Sequence, residues 1–398
     1  MARQGEPRGA LGICVGLSTL TLVPSQASGT SSYLRGLLSE LSRCESVDMT
    51  VLANSLMASR ISAWSGHTIP ARVISSFAIR DTPRSRHLAI ARALMTPGRL
   101  QRELPQDLDL LHYPLTLPLP RVDTPTVVTL HDVQHHDFPG FFSRTQRQWR
   151  KAAYDDPAKR ARLVITVSEY SKSRIVEHLG IAPEHVEVIY HGVDRARFTP
   201  AKSETVSGVL AALRLPERFL LYPAALWTHK NHGRLLDAIA RLDDNELGLV
   251  LTGPTFNEIA NLRARAEGLG LGGRVRHLGL VDDELISALY QRATALVFPS
   301  LHEGFGLPVL EAMASGCPVV ASTSGALPEI CGDAAMQFDP LDIDSIAGAI
   351  AQVINDDRLR GQLAAAGRDW AKHFTWRGAA ERHADVYARA YELGASVP

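Results

Sequence analysis

Cysteine is scarce in this 398-residue chain: Cys14, Cys44, Cys317 and Cys331 are all it has. None sits in CxxC spacing, and four are too few to staple a chain of this length. Reduced thiols and a cytoplasmic setting are therefore expected. No run approaches the roughly 18 consecutive apolar residues that a membrane-crossing helix needs. Excess charge of either sign is also missing, with 42 Lys+Arg against 42 Asp+Glu. A balanced chain has no global pull toward nucleic acid or acidic lipid, so no nucleic-acid partner is expected. No short-period repeat or low-complexity segment occurs. What is present is 45% hydrophobic and 21% charged residues, which excludes disordered and collagen-like architectures. The length suits two or three domains, each with its own core.

The N-terminus carries two readings. Arg3 and Arg8 precede the apolar stretch Leu11–Val23, and Ser25-Gln26-Ala27-Ser28 has the look of a small-residue cleavage site. The rival is a buried first strand, Ala10 to Leu17, with a helix from about Thr30. Gly12, Gly16, Ser18, Thr19 and Thr21 dilute the apolar core, and cleavage would remove a strand that the following helix needs. The strand reading is preferred.

Short runs rich in Val, Ile and Leu alternate with amphipathic stretches. Val47–Ala53, Leu108–His112, Thr126–Leu130, Leu163–Val167 and Val186–Tyr190 read as strands, with Tyr33–Leu41 and Tyr170–Leu179 as helices between them. Runs that are apolar nearly throughout indicate parallel strands covered on both faces. Composition breaks over Asp194–Pro216, then the alternation restarts. Phe219–Pro223, Leu247–Thr252, Val275–Leu278, Ala295–Pro299 and Pro318–Ala321 read as strands, and His232–Leu242 as a helix. The expected organisation is two α/β domains, 1–200 and 201–375, and a terminal helix, 376–398, that packs back on the first domain. Each domain would be a doubly wound, Rossmann-like parallel sheet.

The most informative stretch is TALVFPSLHEGFGLPVLEAMASGCPVVASTSGALPEICGD, residues 294–333. A strand ends in a loop holding Glu303-Gly304-Phe305-Gly306, and a helix begins near Leu307-Pro308. Pro308 suits the first helical turn, where its missing N–H has no partner to lose. The glycines permit close backbone approach, and the helix N-terminus offers N–H groups and a positive dipole end to an anion such as a diphosphate. Glu303 and Glu311 stand in E-x7-E spacing, so they serve different parts of a ligand. A glycine turn with two solvated glutamates is the plain alternative, but the string is long and specific.

That string resembles the retaining nucleotide-sugar glycosyltransferases of family 4, which have the GT-B fold: two Rossmann-like domains facing across a cleft. The resemblance extends over nearly the whole chain and is strongest in its second half. It implies that Glu303 lies beside the transferred sugar, that Glu311 binds the nucleotide ribose, and that the Gly304–Leu307 backbone holds the diphosphate and sugar hydroxyls. Lys230, in Tyr222-Pro-Ala-Ala-Leu-Trp-Thr-His-Lys-Asn-His232, would neutralise the departing diphosphate. The family commonly has an arginine five residues earlier; here stands Ala225, so either Lys230 and the helix N-terminus suffice or His229 or another cation assists. Gly253, after a strand, and Val281, in Gly279-Leu280-Val281, correspond to the lining of the base pocket. Gly29 belongs to the Ser28-Gly29-Thr30 loop that nears the diphosphate, where one of two usual glycines is a serine.

His131-Asp132-Val133-Gln134-His135-His136-Asp137 admits a different chemistry. Three His and two Asp in seven residues resemble a divalent-metal site, as in metal-dependent phosphohydrolases. Such sites draw ligands from distant segments, and no second His/Asp cluster is evident. By the resemblance, His131 faces the donor sugar, Asp132 orients it, and His135 or His136 shapes the acceptor pocket. Asp107-Leu-Asp109 and Asp342-Ile-Asp344 have the DxD pattern of another glycosyltransferase fold but read as element boundaries, so no catalytic metal or other cofactor is expected. Arg144, Arg147, Arg150, Lys151, Lys159, Arg160 and Arg162, opposed locally by Asp155 and Asp156, form a basic stretch. It suits either an ordinary solvated face or peripheral contact with the inner membrane face.

No residue stands out as a covalent nucleophile. The resemblance implies retention by same-face attack, with a donor phosphate oxygen taking the acceptor's proton. The donor would be a GDP-, UDP- or dTDP-sugar, with mannose from GDP-mannose the default. The acceptor would be a growing polysaccharide, a lipid-linked intermediate or a small secondary metabolite. A related GT-B epimerase or phosphorylase is the alternative enzyme class, and a non-catalytic nucleotide-sugar module a more distant one.

Overall fold

The computed structural model describes residues 12–24, 29–64, 69–198, 210, 213–256 and 258–395. The cleavage-site reading at 25–28, the start of the expected first strand and, within the Asp194–Pro216 break, residues 199–209 and 211–212 lie outside the described residues.

The strands, in chain order, are β1 (Ile13–Ser18), β2 (Val47–Ala53), β3 (Ala71–Val73), β4 (Leu110–Tyr113), β5 (Thr126–Thr129), β6 (Leu163–Thr166), β7 (Val186–Val188), β8 (Phe219–Pro223), β9 (Gly248–Thr252), β10 (Val275–His277), β11 (Ala295–Phe298), β12 (Val319–Ser322) and β13 (Met336–Phe338). Helices of seven residues or more are α1 (Gly29–Leu41), α2 (Pro83–Met95), α3 (Arg144–Arg150), α4 (Glu169–Leu179), α5 (His232–Ala240), α6 (Ile259–Gly268), α7 (Asp283–Arg292), α8 (Leu307–Ser315), α9 (Ile343–Asn355), α10 (Asp357–Trp370) and α11 (Trp376–Ala395).

Two compact units result. One takes the chain up to Val167, Lys172–Gly192 and the segment from Trp376; the other takes Ser168–Ser171 and Val193–Thr375. The main division thus falls at Gly192/Val193, at the start of the Asp194–Pro216 composition break and eight residues before the expected 200/201 boundary.

The first unit holds a seven-stranded sheet in the order β3-β2-β1-β4-β5-β6-β7, and the second a six-stranded sheet in the order β10-β9-β8-β11-β12-β13. Every pairing is parallel. Both are doubly wound: the order runs outward from a central strand and then reverses, opening a crevice at the strands' carboxyl ends. In the second unit that switch point lies between β8 and β11, which pair through Ala295↔Leu220 and Leu296↔Leu221. β4, β6, β11 and β12 are buried at every residue, which is why they read as unbroken apolar runs.

Local signals set several helix starts. Thr82 caps α2 by accepting from Ser85 N at 3.3 Å, and Asp282 caps α7 by accepting from Leu285 N at 2.8 Å. Asp342, in the second DxD pattern, caps α9 by accepting from Asp344 N and Ser345 N, which makes it an element boundary. The terminal helix α11 packs on α1, where Gly36 has no Cβ to collide with Trp376. No helix among the described residues is long and apolar enough to cross a membrane.

Candidate functional site

In the second unit two loops leave the carboxyl ends of β8 and β11, on either side of the switch point. The β8 loop turns through Thr228–Lys230 and enters α5 at His232, with Asn231 in the left-handed region at φ 62°. Side-chain anchoring holds Asn231 in that strained backbone: its Nδ2 donates to Pro299 O at 3.0 Å and to Pro340 O at 2.8 Å. Leu301 N donates to His229 O at 2.7 Å, tying the two loops together. Tyr222, on β8, donates its hydroxyl to Lys230 O at 2.8 Å and lies 3.1 Å from Ser300 Oγ.

The result is a short ion pair. Lys230 Nζ lies 2.5 Å from Glu303 Oε1, with the side chains 16% and 13% exposed. Lys230 also sits 5.6 Å above the Phe298 ring. Behind the pair, His232 packs 4.7 Å from the Tyr222 ring. Burial, with the Lys230 charge adding to it, pushes the His232 imidazole down to about 3, so it stays neutral.

The Glu303 loop leads into α8, whose N-cap is Gly306 at φ 110° with Leu307-Pro308 in the first turn. The φ of Gly306 favours glycine, and a Cβ there would lie 2.8 Å from Leu327 Cδ2, so the leucine side chain would have to shift. Phe305 is buried and packs edge-on against Phe374, with centroids 6.2 Å apart. Within the first turn of α8, Pro308 has no N–H and Val309 N donates back to Gly306 O at 2.9 Å, so the backbone donors that this helix start can offer an anion are those before Pro308. Glu311 lies one turn into α8 and accepts from Tyr290 Oη at 3.0 Å. Burial, reinforced by Glu311, lifts the Tyr290 phenol well above its ordinary value, so it remains a donor.

Gly325 escaped the sequence reading. It sits at φ 64° directly against the Glu303 backbone, and a Cβ there would lie 2.6 Å from Glu303 O. Ala326 N then donates to that same oxygen at 3.0 Å. Tyr222, Ser300 and Asn231 were missed likewise. Of the two weaker elements, Gly253 N donates to Gly279 O at 2.7 Å, so the turns after β9 and β10 meet, and half-buried Val281 follows them. Ala225 lies on the β8 loop, where its carbonyl accepts from Trp227 N at 2.7 Å.

In the first unit Gly29 opens α1. His131 follows β5 and is 3.0 Å from Pro114 O through Nε2. A carbonyl only accepts, so Nε2 carries the proton. Burial lowers the His131 pKa against the opposing pull of that hydrogen bond and of Asp132, leaving an uncharged ring. Its neighbours are Tyr33, edge-on at 5.0 Å, and His191 at 5.8 Å. Beneath it runs a buried chain: Tyr387 Oη is 2.8 Å from His112 Nδ1, His112 Nε2 is 2.8 Å from Thr129 Oγ1, and Thr129 Oγ1 is 3.3 Å from Tyr33 Oη. Asp132 accepts from Gln134 N at 2.9 Å, closing the turn after His131.

The structure joins His135 and His136 to a residue that the sequence reading counted only as a counter-charge. His135 Nε2 is 3.0 Å from Asp155 Oδ1 and His136 Nε2 is 2.8 Å from Asp155 Oδ2. Asp155 is therefore the distant ligand-type group that the 131–137 cluster lacked on paper. The basic stretch is interrupted rather than continuous: α3 ends in a π-helical turn, Lys151–Asp155, and Arg150 stacks over Phe142 at 4.4 Å.

Known proteins give the following likenesses. Residues 27–197 match the family model described as Glycosyltransferase Family 4, and residues 211–370 match Glycosyl transferases group 1. The O-antigen chain mannosyltransferase B of Escherichia coli is 30% identical over 298 residues, spanning 74% of this chain and 78% of that protein. The MMP alpha-(1->4)-mannosyltransferase of Mycolicibacterium hassiacum is 34% identical over 238 residues, 57% of this chain and 54% of its own length. Thus the chain spans about half the length of this second relative. The crystal structure of Anabaena HepE in complex with UDP and glucose superposes with a TM-score of 0.72 at 21% identity, covering 95% of this chain and 100% of that one. The two sheets described above are the two Rossmann-like units of a GT-B fold.

Proposed function

Because the chain belongs to the family 4, group 1 glycosyltransferases, we propose that it moves a hexosyl group, mannose in the first instance, from a nucleoside-diphosphate sugar to a saccharide hydroxyl with retention. The observation carrying this reading is the Lys230–Glu303 pair, 2.5 Å long, on the loops that flank the β8/β11 switch point and lead into α5 and α8. Bond cleavage leaves negative charge on the diphosphate. A fixed ammonium and the backbone N–H groups of Gly304–Leu307, at the start of α8, stabilise that charge with little reorganisation. Glu303 holds the Lys230 ammonium in position and lies beside the transferred sugar. Glu311, oriented by Tyr290, receives the ribose hydroxyls; the Gly253 and Val281 turns line the base. Where the family often has arginine, Ala225 leaves Lys230 as the cation of this loop that meets the diphosphate.

Gly29 and His131 are assigned to the donor by the resemblance alone, His131 as an uncharged imidazole toward the hexose. No metal takes part in the transfer, and a donor phosphate oxygen accepts the acceptor's proton as the new bond forms on the same face. The mannosyl assignment is supported by the names of both curated relatives; the Anabaena structure, with UDP and glucose, makes UDP-glucose the second donor to test. Residues 144–162 would give peripheral contact with an anionic membrane face, which vesicle co-sedimentation reads directly. The deciding experiment is a panel of GDP-, UDP- and dTDP-sugars. Binding raises the unfolding temperature by mass action, and turnover with a saccharide acceptor releases the nucleoside diphosphate and yields a product whose anomeric configuration, read by NMR, matches the donor's. Epimerised donor without transfer would replace this reading with the epimerase one.

A further inference from the structure

Apart from the donor loops, one other cluster among the described residues brings ligand-type atoms together. His135 and His136 occupy the short turn Gln134–Asp137 after β5, and Asp155 closes the π-helical turn Lys151–Asp155. A π turn is an uncommon insertion in a helix and is frequent at functional sites. Here it directs a carboxylate at two imidazoles: one ligand atom from each of the three residues lies within 4.8 Å of the others.

We propose that His135, His136 and Asp155 form a binding site for a divalent first-row transition ion, Zn(II) the leading candidate. The site lies in the first unit, shares no residue with the donor loops of the second, and is assigned no step of the transfer. Four observations support it. First, each imidazole nitrogen already lies near one carboxylate oxygen, His135 Nε2 3.0 Å from Oδ1 and His136 Nε2 2.8 Å from Oδ2, and one ligand atom from each residue falls within 4.8 Å of the others, so ångström-scale side-chain adjustment would close the set around an ion. A tetrahedral ion with bonds of about 2.0–2.1 Å spaces its ligand atoms by roughly 3.3 Å. Secondly, the donor set of two imidazole nitrogens and one carboxylate oxygen suits Zn(II), Co(II) or Fe(II), whereas Mg(II) and Ca(II) prefer oxygen alone.

Thirdly, the exposures are graded as an ion with an exchangeable fourth ligand requires. The His135 and Asp155 side chains are 2% and 3% exposed and that of His136 31%, so one flank is open to water. Finally, the neighbours hold the rings rather than compete for them. The His178 ring stacks on His136 at 5.0 Å and 18°, and is itself anchored by Asp137 Oδ1 at 2.8 Å, which also accepts from Arg174 Nε at 2.7 Å. The anchored stack restricts the plane of the His136 ring. An ion there would staple the turn after β5 to the π turn, two segments twenty residues apart that Asp155 already links by hydrogen bonds.

The test uses the full chain, stripped with a chelator and dialysed. Equilibrium dialysis with Zn(II) is expected to give one tightly bound equivalent per chain, and Co(II) the visible d–d absorption of a nitrogen- and oxygen-ligated ion. Asp155→Asn and His136→Gln should each weaken uptake by at least roughly tenfold, since loss of mere outer partners already costs that much. The exposed His185→Gln should leave it unchanged. Should Asp155→Asn fail to fold by circular dichroism, His136→Gln, altering the most exposed of the three side chains, decides alone. No tight uptake by the native chain, or uptake undiminished in folded His136→Gln, overturns the proposal. These readouts do not depend on turnover, so failure here leaves the transferase reading standing, and the converse holds.

Discussion

Replacing Lys230 with methionine keeps the aliphatic stem and removes the ammonium, leaving the Glu303 carboxylate, 13% exposed, without that cation. Two separable losses follow. A hydrogen bond to a charged group is worth about 1.5–3 kcal/mol, and with both side chains mostly shielded from water the upper part of that range applies to stability. In the transition state, loss of one fixed group facing the leaving diphosphate costs about 3 kcal/mol, or roughly 10²-fold in kcat/KM. Denaturant unfolding measures the first, and a coupled assay of nucleoside-diphosphate release the second. Glu303→Gln and the double variant complete the cycle. Stability should recover part of the single-variant loss in the double, with a coupling of about 1–3 kcal/mol. The kinetic loss should not recover, because it belongs to the diphosphate and not to Glu303. A folded Lys230→Met enzyme with kcat/KM within about threefold of the native value would refute the reasoning, since removing a group that stabilises developing charge has a far larger effect than that.

Three further outcomes are expected. Gly325→Ala puts a Cβ 2.6 Å from Glu303 O at φ 64°, so turnover should fall together with about 1–2 kcal/mol of stability; Gly273→Ala, whose Cβ meets nothing within 4 Å, should be nearly silent in the same assays. Tyr387→Phe removes the hydroxyl 2.8 Å from His112 and leaves a buried ring nitrogen unpaired, costing about 1–3 kcal/mol by denaturant titration. Acid should destabilise the chain. Burial holds His383 at about 4, below the ~6.5 of an unfolded histidine, so the unfolded state binds more protons in between. Stability from this group is complete above about pH 6.5 and erodes as pH falls toward 4, by about 3 kcal/mol in all. His232, at about 3, extends the same trend lower. Unfolding midpoints that do not fall between pH 7 and pH 5 would contradict those assignments.

How much of this was legible beforehand depended on whether a feature is local. β2 and β8 were read at their observed bounds, Val47–Ala53 and Phe219–Pro223: β8 is a nearly continuous apolar run buried on both faces, while β2 alternates buried and more exposed residues before ending in the buried Val51-Leu52-Ala53. β3 and β13, three residues each and only partly buried, left no such mark. Between Asn54 and Asp107 no element was assigned, yet α2 forms there behind the Thr82 cap and Pro83 start, a signal that was present and unused. The glycine-rich loop and the start of α8 were evident because Gly306 and Pro308 act on their own backbone. Gly325 was not, since its importance comes from the Glu303 backbone lying against it, and nothing in a Ser-Gly pair announces a neighbour twenty-two residues away. Asp155 was hidden for the same reason: a π turn aims it, and sequence periodicity does not reveal one.

The most direct test is a crystal structure of the chain with a bound donor or its nucleoside diphosphate. The account predicts pyrophosphate oxygens within hydrogen-bond distance of the Lys230 ammonium and of the N–H groups at Gly304–Leu307, with ribose hydroxyls at Glu311. A diphosphate seated elsewhere, with those groups untouched, would contradict it.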